Sequence, residues 1–168
     1  VAQFGGKLAI NSKLANTVLM SDFREKYLSE LSKISNGKTF ITDKMPQNFR
    51  FIPLICAALP EAKIIHVQRN APATCWSNYK YNFFSDGLGY CYDLEDVVTY
   101  YALYSDLMQV WQSEYINRVY NLNYENLVID QETQTKKLIS HLDLHWEEAC
   151  LSPHKNKRSV KTASQRQI

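Results

Sequence analysis

The stretch KIIHVQRNAPATCWSNY, Lys63–Tyr79, joins two kinds of backbone. Ile64, Ile65 and Val67 are β-branched and bunched, the composition of a short strand covered on both faces. Arg69 and Asn70 end the run, and Pro72 is tolerated only in the first turn of the helix that follows, to about Asn82. Strand, short turn, helix is the opening of a βαβ unit, whose second strand runs parallel to the first.

Working outward, KTFITDK, Lys38–Lys44, carries β-branched residues and reads as a strand. Pro46 and Asn48 introduce a helix from Phe49 to about Leu59. Pro53 sits in its first turn or kinks it, and Pro60 closes it. Residues 12–35 form an amphipathic helix with Phe23, Tyr27, Leu28, Leu31 and Ile34 at helical spacing, ended by Asn36-Gly37. On the other side, FSDGLGY is a loop. Asp93, with Asp96 three residues on, nearly makes a capping box for the longest helix. Its stripe of Leu94, Val97, Val98, Tyr101, Tyr104, Met108, Trp111 and Tyr115 reads as core. RVYNLNY, Arg118–Tyr124, is a third strand, and Asp130 caps a helix ending near Leu142. Strands alternating with helices predict an α/β fold, a parallel sheet covered by helices on both faces. The expected layout is one domain over 1–168: a helical segment 1–37, an α/β core 38–150 and a polar, basic segment 151–168.

Composition narrows the functions available. The 168 residues are 45% apolar and 21% charged, which suits one globular core. A net charge of +2 writes no polyanion-binding surface, so nucleic acid is not an expected partner. No run of eighteen apolar residues exists to span a membrane. Cys56, Cys75, Cys91 and Cys150 lack zinc or redox spacing and read as buried thiols of a reducing compartment, the cytoplasm. His141 and His145 straddle a predicted helix end, so no metal site is expected.

In open α/β sheets ligands bind beyond the carboxyl ends of the strands. Lys44, Arg69 and Tyr124 each stand at such an end. The planar fork of Arg69 matches a phosphate, and the following helix aims its N-terminus at the same place. Ser77 on that helix can donate a hydroxyl to the same anion. The plainer alternative pairs Arg69 with a carboxylate and leaves Ser77 on the surface. Lys44 either stabilises charge on a transferring group or is simply solvated. Tyr124 either stacks on a base or plugs the sheet.

TDKMPQNFRFIPLICAALPEAKIIHVQR, then TCWSNY, YDLEDVVTYYALYSDLMQVW, NYENLV and KRSVKTASQRQI, in unbroken order, together resemble the sulfotransferases that use 3′-phosphoadenosine 5′-phosphosulfate. The likeness runs over roughly residues 38–168. It is strongest to the bacterial branch often attached to tetratricopeptide repeats and related to protein-tyrosine sulfotransferases. The resemblance implies a P-loop-NTPase-like parallel sheet and sulfuryl transfer to a hydroxyl of a carbohydrate, tyrosine or small molecule, without a metal. It implies that Arg69 and Ser77 hold the 3′-phosphate, that Tyr124 lies against the adenine, and that Lys44 and Ser164 act at the sulfuryl end. A tetratricopeptide-repeat region, or another segment of a longer chain, is the implied partner.

There are departures from the family pattern. Asn70 stands where that family usually has Asp, and Tyr81 where the tyrosine enzymes carry a second arginine. Nothing in residues 1–37 matches the family's 5′-phosphosulfate loop, so the chain is expected to be a partial domain with open apolar faces. The competing expectation is a nucleotide-binding or scaffold domain of the same fold without turnover. A kinase on a similar sheet would need metal-binding acids, and only Asp43 and Glu125 present themselves.

Overall fold

A computed structural model of the chain describes residues 17–81, 83 and 87–155. The chain divides into two compact units, Val1–Ile64 with Leu107–Arg118, and Ile65–Asp106 with Val119–Ile168.

The first unit is helical. Helix α1 spans Thr17–Ile34, within the expected 12–35. It stops where Asn36 and Gly37 take positive φ angles of 50° and 73°, a conformation that closes helices. A tight turn of 3₁₀ helix, Pro46–Phe51, runs into α2, Ile52–Ala58. Pro53 lies in the first turn of α2, so of the two expectations the first-turn placement, rather than a kink, is the one found. Met20, Ala58 and Leu59 form the core, with Phe23, Tyr27, Leu54 and Ala62 packed against it.

Two guanidinium groups secure the C-terminal end of α2. Arg24 donates to the Ala58 carbonyl at 3.0 Å and grips Glu61 with both nitrogens, at 2.8 and 2.6 Å. Arg118 donates to the carbonyls of Leu59 and Ala62 at 3.2 and 3.4 Å. Cations belong at a helix C-terminus, where carbonyls lack partners. Trp111 adds a hydrogen bond from its indole N–H to the Phe49 carbonyl at 2.9 Å.

Residues 38–45 depart from expectation. They form no strand, and Phe40 is 71% exposed. β-branched content favours a pleated, half-buried surface rather than a backbone state. No neighbouring strand supplies a ladder here among the described residues.

The second unit carries the sheet. β1 (Ile64–Gln68) and β2 (Val119–Asn123) pair in parallel, two strands among the described residues where three were expected. Between them come α3 (Ala71–Tyr79), a turn at Gly89–Tyr92, and α4 (Leu94–Glu114). After them come α5 (Tyr124–Ile129) and α6 (Gln131–His141). Each helix start has an Asn or Asp accepting from its first turn. Asn70 accepts from Ala73 N–H at 3.1 Å, and Asp93 from Glu95 and Asp96 N–H at 2.8 and 3.0 Å. Asn123 accepts from Asn126 N–H at 2.8 Å, and Asp130 from Thr133 N–H at 3.2 Å. Such caps satisfy donors that have no helical partner.

The register of the sheet follows from its side chains. His66 and Asn121 occupy the middle of each strand and are hydrogen-bonded at 2.8 Å, while the other ring nitrogen of His66 meets the Tyr104 hydroxyl on α4. On the opposite face Leu122 is buried, but Ile65 and Val67 are 36% and 56% exposed. The expectation of helices over both faces therefore fails at β1 among the described residues. The α4 stripe is also narrower than expected. Val97 and Met108 are 1% and 3% exposed, whereas Leu94 and Val98 face outward. At about 100° per residue Val98 lies a quarter-turn off the buried line.

Candidate functional site

Parallel pairing places the residues that follow the two strands side by side. Three neighbouring pairs share one sequence offset of 55, from His66–Asn121 through Arg69–Tyr124 to Asn70–Glu125. The Arg69 guanidinium lies over the Tyr124 ring, 5.5 Å from its centre. A guanidinium held against a ring face can still offer its N–H groups to an anion. Among the described residues no carboxylate stands within ion-pair distance of Arg69, so the plainer paired alternative is not the arrangement found. Tyr124 is 43% exposed, at the first position of α5, with Asn123 as its cap.

The β1–α3 turn is tied down on several sides. Asn70 N–H donates to the Glu125 carboxylate at 3.0 Å. The Arg69 carbonyl lies 3.5 Å from both the Thr74 and the Tyr101 hydroxyls, long contacts that share one acceptor. The Asn70 hydrogen bond, with a smaller contribution from the charge of Arg69, holds the Glu125 carboxyl below its ordinary range. Asn70, Thr74 and Ser77 fall on one face of α3, since four and seven residues are close to one and two turns. That face carries two hydroxyls leading away from Arg69.

Arg69, Ser77 and Tyr124 all belong to the second unit, and of these Arg69 and Tyr124 are in contact. Lys44 belongs to the first unit, exposed in the extended segment after Asp43. That segment is anchored locally: the Tyr27 hydroxyl donates to Asp43 at 2.6 Å. Burial, with that hydrogen bond, pushes the Tyr27 phenol up to about 12. Ser164 lies outside the described residues.

Sequence reasoning missed Glu125, Thr74 and Tyr101 as partners of the turn. The offset of 55 holds the signal for Glu125, because fixing Arg69 opposite Tyr124 fixes the next pair too. Nothing local marks Tyr101, whose role depends on how α4 crosses the sheet. Among the described residues no group of three His, Cys, Asp or Glu side chains is placed to hold a metal ion. The four cysteines are free thiols, Cys75 and Cys91 buried. No described helix is long and apolar enough to cross a membrane.

This chain belongs to the sulfotransferase family, whose model matches residues 8–148. It is similar to an uncharacterized protein of Aquifex aeolicus (strain VF5), 32% identical over 152 residues. The alignment covers 89% of this chain and 20% of that protein, so the chain spans about a fifth of its relative's length. No solved structure matches. The matched span begins earlier than the likeness read from residue 38, taking in α1, and stops before KRSVKTASQRQI.

Proposed function

We propose that this domain transfers a sulfuryl group from 3′-phosphoadenosine 5′-phosphosulfate to a hydroxyl of a carbohydrate, a tyrosine or a small molecule. The observation that carries the proposal is the contact of Arg69 with Tyr124 at the paired ends of β1 and β2. A guanidinium fork, an exposed aromatic ring and a hydroxyl-bearing helix face form a donor set that suits a phosphate joined to a purine. Arg69 and Ser77 hold the 3′-phosphate, the N-terminus of α3 adds partial positive charge, and Tyr124 packs against the base. The sheet is then the central part of a P-loop-like arrangement.

The donor supplies the sulfuryl group. The chain's own residues position it and stabilise charge, which is most of what such a transfer asks of a protein. Lys44 and Ser164 are assigned to the sulfuryl end, where an ammonium and a hydroxyl neutralise charge developing on the transferring oxygens. No residue is assigned as the base for the acceptor.

Calorimetric titration with adenosine 3′,5′-bisphosphate tests the assignment. Arg69→Ala is expected to weaken binding by about 2–3 kcal/mol, because a charge-assisted pair to phosphate is lost. Unchanged affinity contradicts the role given to Arg69. The second reading, a binding domain without turnover, is favoured by the neutral Asn70. It predicts tight nucleotide binding with no transfer of labelled sulfate to any acceptor.

A further inference from the structure

Glu125 has no part in the function proposed above, yet it accepts a 3.0 Å hydrogen bond from the turn that carries Arg69. The peptide group joining Arg69 to Asn70 is held at both ends. Its carbonyl faces the Thr74 and Tyr101 hydroxyls, and its N–H donates to Glu125 at 3.0 Å. Loss of either anchor would free the turn, and with it the backbone from which the Arg69 side chain reaches Tyr124. Asn70 cannot replace the lost acceptor, since its own side-chain oxygen is engaged by Ala73 N–H as the cap of α3.

We infer that Glu125 is a positioning residue for Arg69: its carboxylate, anchored at the start of α5 beside Tyr124, fixes the Arg69–Asn70 peptide so that the guanidinium stays over the Tyr124 ring and faces the 3′-phosphate. The inference rests on the nucleotide reading given above. The carboxylate acts through the backbone and touches no substrate. Its effect falls on the 3′-phosphate alone, because that is the group Arg69 receives. Neutral Asn70 fits the same arrangement: an aspartate there would set a second carboxylate beside Glu125.

The test compares adenosine 3′,5′-bisphosphate with adenosine 5′-monophosphate, which lacks the 3′-phosphate, on the wild-type protein and on Glu125→Ala, Glu125→Asp and Glu125→Gln. Glu125→Gln keeps an oxygen in place and is expected to bind the bisphosphate within about twofold of wild type, the hydrogen bond surviving without the charge. Glu125→Ala loses the acceptor and Glu125→Asp withdraws it, and both are expected to weaken bisphosphate binding about tenfold. Monophosphate affinity is unchanged throughout. In an Arg69→Ala background, Glu125→Ala has no further effect. Exchange of the Asn70 amide hydrogen provides a readout without nucleotide: faster in Glu125→Ala, near wild type in Glu125→Gln.

Equal loss for both nucleotides, or tighter bisphosphate binding in Glu125→Ala and Glu125→Gln while Arg69→Ala still weakens it, overturns the inference and leaves the nucleotide reading standing. An unprotected Asn70 amide in the wild type overturns it as well. A wild-type protein with no preference for the bisphosphate removes the nucleotide reading, and the inference falls with it.

Discussion

Asn70 shows how one residue serves two ends of the chemistry. Its side-chain oxygen caps α3, while its backbone N–H donates to Glu125. Asn and Asp are nearly equal as caps, so the departure from the family's aspartate costs α3 little. Asn70→Ala is expected to lower stability by about 1 kcal/mol in urea denaturation. Tyr27 gives a prediction of opposite character. Its phenol, pushed up to about 12 chiefly by burial, is held protonated in the folded state. The stabilisation is therefore present below the ordinary tyrosine range near 10 and is lost as pH rises through about 12. Melting temperatures followed from pH 9 to 12 should fall faster for wild type than for Tyr27→Phe, and parallel curves would contradict this. The positions of Arg69, Ser77 and Tyr124 were legible because they are local: each stands at a strand end or on the helix that follows. Glu125 and Thr74 were not, because a backbone partner is defined by neighbours that no short window contains.

Helix starts were read well for the same reason. Asp93 and Asp130 announce their helices within three residues, and they cap them as expected. Residues 38–45 were misread because a strand is a relation between two segments, and β-branched content shows only one of them. Helix α5 was missed for a different reason. Asn123 was absorbed into the strand pattern, although it caps the turn that begins at Tyr124. On α4, the buried line through Val97 and Met108 should dominate stability. Met108→Ala is expected to cost about 2–5 kcal/mol, and Leu103→Ala, on the exposed side, no more than about 0.5 kcal/mol. Equal effects at the two positions would contradict the packing described. Arg118→Ala, which leaves the Leu59 carbonyl with only the Ala62 N–H and takes the guanidinium from the Ala62 carbonyl, is expected to cost about 1–2 kcal/mol.

At the scale of the molecule, apolar surface is left uncovered in both units, at Phe40 in one and at Val67 in the other. A net charge of +2 offers little repulsion between copies. The protein is expected to associate at micromolar concentration, and Val67→Lys to reduce that association. A monodisperse monomer in sedimentation experiments would show that these faces are harmless.

Family membership was legible as an ordered set of short motifs, none of them decisive alone. The central claim is that one guanidinium, Arg69 over Tyr124, receives the 3′-phosphate. The most direct measurement follows the arginine side-chain N–H resonances during titration with adenosine 3′,5′-bisphosphate. The account predicts that Arg69 shifts most, with Arg24, Arg50 and Arg118 nearly still. Saturable binding that moves another of these arginines and leaves Arg69 in place would contradict it.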